Sequence, residues 1–164
     1  MKQIALVLIL VTIMLLGCVS PGEEQEEFEV IEKETVARVI DGDTFVLENG
    51  ERVRLIGIDT PERGEKCFEE AKNRLQELVF DKDVLLYKDQ SHRDKYGRLV
   101  RFVYVDGVFV NLVLVEEGFA KAFEFAPDNS LAVLFWEAEE RALVGNGCLW
   151  NKEGIKLDFN MTKT

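Results

Sequence analysis

Apolar and polar positions alternate in short stretches that predict β-strands in the first half of the chain. Residues 36–40, 44–47 and 52–58 form three such stretches, and the third alternates Arg52 and Arg54 with Val53 and Leu55. The dipeptide Asn49-Gly50 separates the second from the third and predicts a tight hairpin, because both positions tolerate a positive φ. We therefore expect the second and third strands to pair antiparallel.

Helical spacing and further strands follow. Residues 69–80 carry apolar residues on one helical face, residues 83–87, 98–105 and 108–110 are strand-like, and residues 111–117 predict a short helix. A longer helix is expected at residues 128–144, with Asp128 or Asn129 as its N-cap. This order predicts an α+β domain for which a small barrel is one arrangement. Four large aromatic residues are expected in its core: Phe102, Phe109, Phe119 and Trp136.

The N-terminal residues have the pattern of an export signal. An apolar run follows Lys2 and ends at Gly17-Cys18 in a pattern that resembles a lipoprotein signal. We expect a signal peptide at residues 1–17, lipidation of Cys18 and a membrane-anchored protein on the extracellular face. A plain signal peptide, giving a secreted protein, and a poor transmembrane anchor are the alternatives. The glutamate-rich residues 18–35 predict a flexible tether.

Two cysteines remain once Cys18 is assigned to the lipoprotein signal. Cys67 and Cys148 are expected either to form a disulfide, which an exported protein permits, or to remain as two unpaired thiols.

Charge limits how this chain binds a polyanion. The net charge is −11, and 18 Lys and Arg stand against 24 Asp and Glu from Val36 onward. A domain that holds phosphates mainly by charge is usually basic. A nucleic-acid enzyme with this composition must concentrate its positive charge locally, bind weakly, or use a metal ion.

Two acidic clusters stand at predicted strand ends and suggest such a metal. Residues 41–44 read Asp-Gly-Asp-Thr and residues 59–62 read Asp-Thr-Pro-Glu. Clustered carboxylates repel one another unless a cation joins them, and oxygen ligands suit calcium. Glu62 is placed to activate water, and Arg54 and Arg98 to hold phosphate oxygens, which are the needs of phosphodiester cleavage. Taken alone, Asp41-Gly42-Asp43 is better explained as a turn, and Glu62 is also explained as the first acid of an exposed loop.

Three motifs in order make a resemblance specific. The sequences VIDGDT at residues 39–44, RLIGIDTPE at residues 54–62 and DKYGR at residues 94–98 resemble the staphylococcal nuclease family. The resemblance implies a five-stranded OB-fold barrel with three helices over residues 36–152, followed by a tail at residues 153–164. It implies a monomer that cleaves DNA and RNA, single-stranded or unpaired by preference, and leaves 3′-phosphates.

The resemblance also implies a role for each matching residue. Calcium is held by Asp43, Asp59 and the Thr60 carbonyl, with Asp41 nearby; Glu62 is the general base; Arg54 and Arg98 stabilise the phosphate; Lys95 and Tyr96 bind the nucleotide. One departure is that Phe123, Glu124 and Phe125 stand where the family often has a tyrosine. The alternative functions are a catalytically inactive OB-fold module that binds nucleic acid or protein, and a lipoprotein whose calcium only stabilises the fold.

Overall fold

The computed structural model describes residues 30–145 and 147–150 of the chain. Eight strands are present in this part: β1 (Val30–Val39), β2 (Thr44–Leu47), β3 (Arg52–Leu55), β4 (Ile58–Asp59), β5 (Asp83–Tyr87), β6 (Leu99–Val105), β7 (Val108–Phe109) and β8 (Lys121–Ala122). Three α-helices accompany them: α1 (Phe68–Val79), α2 (Val110–Glu116) and α3 (Ala132–Ala142). A 3₁₀ turn at Cys148–Trp150 follows.

Five of the strands close into a barrel. Their order is β3-β2-β1-β5-β6, and β6 also pairs with β3 in parallel register, with Val53 opposite Leu99. The remaining neighbours in this order pair antiparallel. The expected α+β fold, a five-stranded OB-fold barrel with three helices, is confirmed, with α1 placed between the third and fourth strands of the barrel.

Alternation along the strands places the apolar side chains inside the barrel. Val39, Phe45 and Val53 lie in one row across β1, β2 and β3, and all three are buried. A β-bulge between Val36 and Arg38 shifts the register of β1, so that Val36 and Val39 are both buried while Arg38 is exposed. The predicted alternation of β3 is confirmed, because Val53 and Leu55 are buried while Arg52 is exposed.

The third expected strand is interrupted at Gly57. This glycine has a φ of +78°, and a Cβ at that position would lie 2.2 Å from the Phe135 ring. The turn separates β3 from the short β4, which pairs with β8, a strand that the hydrophobic pattern did not indicate. The expected hairpin between β2 and β3 is present, and of its two central residues Gly50 adopts a positive φ while Asn49 does not.

Three other expectations need correction. The first strand begins at Val30, because the backbone of residues 30–35 pairs with β5, so part of the predicted tether belongs to the barrel. Helix α3 begins at Ala132 with Leu131 as its N-cap; Asp128 cannot cap it because its Oδ1 accepts hydrogen bonds from the backbone of Gln90 and Ser91. Trp136 is 44% exposed and is not a core residue.

A disulfide joins the start of α1 to the 3₁₀ turn. Cys67 and Cys148 are bonded, with their Cα atoms 5.8 Å apart, which decides between the two alternatives left by the sequence. No helix within the described ranges is long and apolar enough to cross a membrane. The predicted signal peptide, Cys18 and the tail at residues 153–164 lie outside these ranges.

Candidate active site

A cleft of about 390 Å³ opens at one end of the barrel, and the predicted site residues meet there. Its lining includes Asp41, Asp43, Arg54, Asp59, Glu62, Lys95, Tyr96 and Arg98. Four separate segments supply these residues: the β1–β2 loop, β3, the segment from β4 to α1, and the loop before β6. Thr60 does not line the cleft, but it is hydrogen-bonded to Asp43.

Close backbone packing holds the first acidic loop against α1. Gly42 lies where a Cβ would be 2.8 Å from both Ala71 and Thr60, so a side chain there would push the loop away. The backbone N–H of Asp43 donates to Asp41 Oδ1 at 3.2 Å. The Asp-Gly-Asp sequence therefore forms a turn, as its composition suggested, and that turn also places both carboxylates at the cleft.

Asp43 is buried, with 6% of the residue exposed, and both of its carboxylate oxygens have partners. Its Oδ2 accepts hydrogen bonds from the backbone N–H of Thr60 at 3.1 Å and from the Thr60 hydroxyl at 2.8 Å. Its Oδ1 accepts from the Thr44 hydroxyl and forms an ion pair with Arg54 Nε at 3.1 Å. These contacts tie the two acidic clusters together, as the sequence predicted.

Arg54 connects the two candidate metal-binding aspartates. Its Nη2 lies 3.2 Å from Asp59 Oδ1, while its Nε contacts Asp43. Its Nη1 donates to the carbonyls of Leu55 and Ile58 at 2.6 and 2.8 Å, which fixes the guanidinium plane. The side chain is 16% exposed. A single guanidinium thus lies between two carboxylates from opposite ends of the β2–β3–β4 segment.

Negative charge remains in excess at this point. Burial, and next to it the charge of Asp43, raises the pKa of Asp41 above its ordinary value. Burial also raises the pKa of Asp59, although Arg54 opposes this shift. Two carboxylates that are harder to ionise than usual indicate a place where an added cation would be stabilising.

Whether these residues fit calcium depends on the donors they offer. Asp43, Asp59 and the Thr60 carbonyl are hard oxygen donors of the kind that calcium prefers. They are few, and residues 30–145 and 147–150 contain no group of three or more His, Cys, Asp or Glu that could hold a metal. The donor chemistry therefore fits calcium, provided that water or substrate supplies most of its 6–8 ligands.

The loop before β6 is organised by Asp94. Its Oδ1 accepts from the backbone N–H groups of Tyr96 and Arg98, and its Oδ2 accepts from Arg98 Nε at 2.7 Å. Arg98 Nη1 reaches the Thr44 hydroxyl at 3.4 Å, and its Cζ lies 5.5 Å from the Tyr96 ring centroid. Asp94 belongs to the motif at residues 94–98, but no role was predicted for it; the available signal was its spacing of four residues from Arg98 across a glycine turn.

Glu62 lies at the exposed rim of the cleft. Its backbone N–H donates to Glu65 Oε2 at 2.8 Å, and Glu65 donates back from its own N–H to the Glu62 carbonyl at 2.9 Å. This reciprocal pair fixes the backbone and leaves the Glu62 carboxylate with no hydrogen bond or ion pair to the described residues. The side chain is therefore open to water and to a ligand in the cleft.

Two phenylalanines form an aromatic pair at the cleft. The rings of Phe123 and Phe125 are stacked 6.5 Å apart at 25°, line the cleft and are about half exposed. Glu124 accepts a hydrogen bond from Asn129 at 3.1 Å. The lining also includes Asp128, which was predicted as a helix N-cap and not as a site residue.

Comparison with known proteins identifies relatives of this barrel. A family model described as staphylococcal nuclease homologue matches residues 52–152. The chain is 38% identical over 135 residues to the SPbeta prophage-derived endonuclease YokF of Bacillus subtilis (strain 168), covering 76% of this chain and 46% of YokF. It is 32% identical over 126 residues to the thermonuclease of Staphylococcus intermedius, covering 71% of this chain and 75% of that protein.

The closed barrel and its acidic, arginine-bearing cleft belong to this chain, and the family model matches more than half of its residues. The chain belongs to the staphylococcal nuclease family. It spans less than half the length of YokF and 62% of the length of another relative, endonuclease YncB of Bacillus subtilis (strain 168), which is 38% identical over 131 residues.

Proposed function

We propose that the protein is a calcium-dependent nuclease that hydrolyses phosphodiester bonds in DNA and RNA and leaves 3′-phosphates. The observation that carries the proposal is the arrangement around Arg54. Asp43 and Asp59 contact one guanidinium, and Glu62 and Arg98 line the same cleft. The relatives named endonuclease and thermonuclease support the same activity.

Each group in the cleft has a separate proposed role in hydrolysis of the phosphodiester. A calcium ion held by Asp43, Asp59 and the Thr60 carbonyl would polarise a phosphoryl oxygen. The Glu62 carboxylate accepts a proton from the water that attacks phosphorus, because it is free of protein partners and faces the cleft. The bond from phosphorus to the 5′-oxygen breaks, that oxygen takes up a proton from solvent to become a hydroxyl, and the phosphate stays on the 3′-oxygen of the preceding nucleotide.

The two arginines stabilise the charge that builds on the equatorial phosphate oxygens. Arg98 has an Nη2 group without a partner among the described residues, while its Nε and backbone are anchored on Asp94. Arg54 has one Nη2 hydrogen left beyond its contact with Asp59. A guanidinium that is anchored at one edge and open at the other is suited to hold a phosphate without reorganising.

The nucleotide itself is expected to contact the aromatic and basic residues at the cleft edge. Phe123 and Phe125 offer ring faces on which an unpaired base can stack, a contact typically worth about 1–3 kcal/mol per base. Lys95 and Tyr96 line the same cleft. Stacking requires an unpaired base, so we propose a preference for single-stranded or unpaired substrate.

A digestion assay tests the enzyme proposal. Plasmid, single-stranded DNA and RNA are incubated with the full chain in calcium and then in chelator. We expect cleavage only with calcium, and at least about a 10²-fold loss in Glu62→Gln if general-base catalysis operates. Glu140→Gln, on the exposed face of α3, is the matched control and should retain full activity. Cleavage that persists in chelator contradicts the calcium requirement, and full activity in Glu62→Gln contradicts the general base.

Analysis of the product ends tests the direction of cleavage. Products with 3′-phosphates resist extension by a polymerase until a phosphatase removes the phosphate. Products that are extended directly would contradict breakage of the bond to the 5′-oxygen.

The inactive-module alternative makes a different prediction for the same samples. If the protein is a module that only binds nucleic acid, the unaltered protein and Glu62→Gln should bind a strand with equal affinity. Neither of them should cut it. No structural observation favours it, because the carboxylates and arginines that it would lack are present in the cleft.

We also propose that the enzyme works as a monomer outside the cytoplasm, tethered by lipid on Cys18. The apolar run that ends at Cys18 supports this location. Replacing Cys18 with Ser should release the protein from the membrane fraction and abolish labelling by a radioactive fatty acid. Light scattering should give the mass of one chain for the released protein.

A further inference from the structure

Two arginines on the outside of the barrel have no carboxylate partner in the part of the chain that the structure describes: Arg38 on β1 and Arg52 on β3. Six other described arginines form ion pairs: Arg54, Arg74, Arg93, Arg98, Arg101 and Arg141. Arg63 lies over the ring of Phe68. In an acidic chain, arginines that are exposed and unpaired are the exception.

The strand register places these two arginines in one row. Arg38 lies opposite Val46 on β2, and Val46 lies opposite Arg52 on β3. Residues that are directly opposite in neighbouring strands share a face. Because Phe45 points into the core, Val46 and both arginines belong to the outward face, where Arg38 and Arg52 are exposed.

The row continues to the candidate active site. In the parallel pairing of β3 with β6, Val53 lies opposite Leu99, so one residue earlier Arg52 is next to Arg98. Arg54 lies two residues along β3 on the same face as Arg52, about 7 Å away at the usual strand rise. Arg98, Arg52 and Arg38 therefore form a line across four strands, which spans about 14 Å at about 4.8 Å per strand.

Neither arginine forms an ion pair among the described residues, and Glu48, two residues beyond Val46 on β2, is an exposed carboxylate on the same face. The carboxylate of Glu51, the residue that precedes β3, is bound by Arg93 at 2.7 Å. Arg98 and Arg54 are paired with aspartates inside the cleft. Arg38 and Arg52 thus provide the local concentration of positive charge that an acidic nuclease needs.

We propose that Arg38 and Arg52 form a phosphate clamp that holds the backbone of the nucleic-acid strand next to the bond being cut. The clamp rests on the proposed function, since the strand must already occupy the cleft. Each guanidinium can donate two parallel hydrogen bonds to one phosphate. The clamp contacts only phosphates, so it adds affinity without base preference.

Substrates of different length distinguish the contribution of the clamp from that of the catalytic groups. A dinucleotide with one phosphodiester has its only phosphate at the site of cleavage and none for the clamp. A longer single strand has phosphates that can reach Arg52 and Arg38. The clamp therefore acts on long strands alone, whereas damage to the cleft acts on both.

The test compares Arg38→Gln/Arg52→Gln in the full chain with the unaltered protein. Binding of a fluorescent single strand is measured in chelator between about 50 and 200 mM salt. Two lost phosphate contacts should lower the slope of log affinity against log salt by about 1.4, at about 0.7 per contact on single strands. Calcium-dependent cleavage of the dinucleotide should keep its kcat/KM.

Two variants serve as controls. Arg141→Gln removes one charge from α3 at an ion pair that lies outside the cleft lining, and it should leave the salt slope unchanged. Arg38→Lys/Arg52→Lys keeps the charge and should retain most of the slope. A salt slope that is the same in Arg38→Gln/Arg52→Gln as in Arg141→Gln overturns the clamp, and so does an equal loss on dinucleotide and long strand.

Failure of the proposed function gives a different pattern. If the unaltered protein binds the strand with a salt slope that depends on Arg38 and Arg52 but cuts neither substrate, the nuclease proposal fails and the clamp stands. If cleavage is normal and the slope is independent of both arginines, the clamp alone fails. A chain that neither binds nor cuts contradicts both.

Discussion

Asp94 holds Arg98 at two points, its backbone N–H at 3.0 Å through Oδ1 and its Nε at 2.7 Å through Oδ2. The carboxylate is 8% exposed, while the guanidinium that it orients faces the cleft. One buried acid therefore sets both the turn of the loop and the direction of a side chain proposed to bind phosphate.

Asp94→Asn should lower activity while the loop before β6 keeps its backbone conformation. The amide can still accept hydrogen bonds from backbone N–H groups, but it loses the charge-assisted contact to Arg98 Nε. We expect a fall of about tenfold in kcat with a smaller change in KM, because Arg98 acts mainly on the developing charge. In an Arg98→Gln background, Asp94→Asn should add little further loss. Additive losses in the double variant would show that Asp94 does not act through Arg98.

The same contact should make stability depend on pH. Burial opposes ionisation of Asp94, but the hydrogen bonds and charge of Arg98 outweigh it, and the pKa of Asp94 lies below its ordinary value. The unfolded chain then binds a proton more tightly than the folded chain. The stabilisation is present above the unfolded pKa of about 3.9 and is lost as the pH falls through the lower folded value.

Chemical denaturation at several pH values can measure this effect. The difference in unfolding free energy between the unaltered protein and Asp94→Asn should be constant from about pH 5 to 8 and shrink below about pH 4. Carboxylates elsewhere titrate in both proteins and cancel. A difference that stays constant to pH 3 would mean that the Asp94 charge does not stabilise the fold.

Loss of the disulfide between Cys67 and Cys148 should destabilise the domain. The two residues are 81 positions apart, and chain-entropy models give about 4–5 kcal/mol for a loop of this length. Cys67→Ser/Cys148→Ser should therefore unfold at a lower guanidinium concentration by an amount equivalent to about 4 kcal/mol. Reductant should shift the unaltered protein equally and leave this variant unchanged. A loss under about 1 kcal/mol would show that the bond adds little to the folded state.

The sequence was sufficient for the parts of the site that depend on local motifs. The acidic clusters, Arg54 and the loop at residues 94–98 could be placed together from the sequence because three motifs occur in the order found in the family, and all three contribute to the lining of the cleft. The hydrogen bonds that Asp94 and Asp128 accept could not be predicted from the sequence. Both carboxylates bind backbone N–H groups whose positions are fixed only by folding. The β-bulge that turns Arg38 outward is likewise a property of pairing with β2.

Weak elements of the fold were missed for a related reason. The two-residue strand β8 has no periodicity of its own and exists because it pairs with β4. The start of β1 lies in an acidic segment whose composition favours a tether, and pairing with β5 outweighs that preference.

Gly50 and Gly57 require glycine for different physical reasons. Both have a positive φ, but a Cβ at Gly50 meets nothing within 4 Å, whereas one at Gly57 lies 2.2 Å from Phe135. Gly50→Ala should therefore cost only the left-handed backbone penalty of about 1–2 kcal/mol. Gly57→Ala should cost that penalty and about 1–3 kcal/mol more, because the buried Phe135 ring must move. Urea unfolding of both variants measures the difference, and Gly57→Ala/Phe135→Leu should lose less stability than the two single changes combined, since the smaller side chain relieves the clash. Equal losses for the two alanine variants would show that Phe135 moves aside at no cost and that backbone conformation alone requires glycine at residue 57.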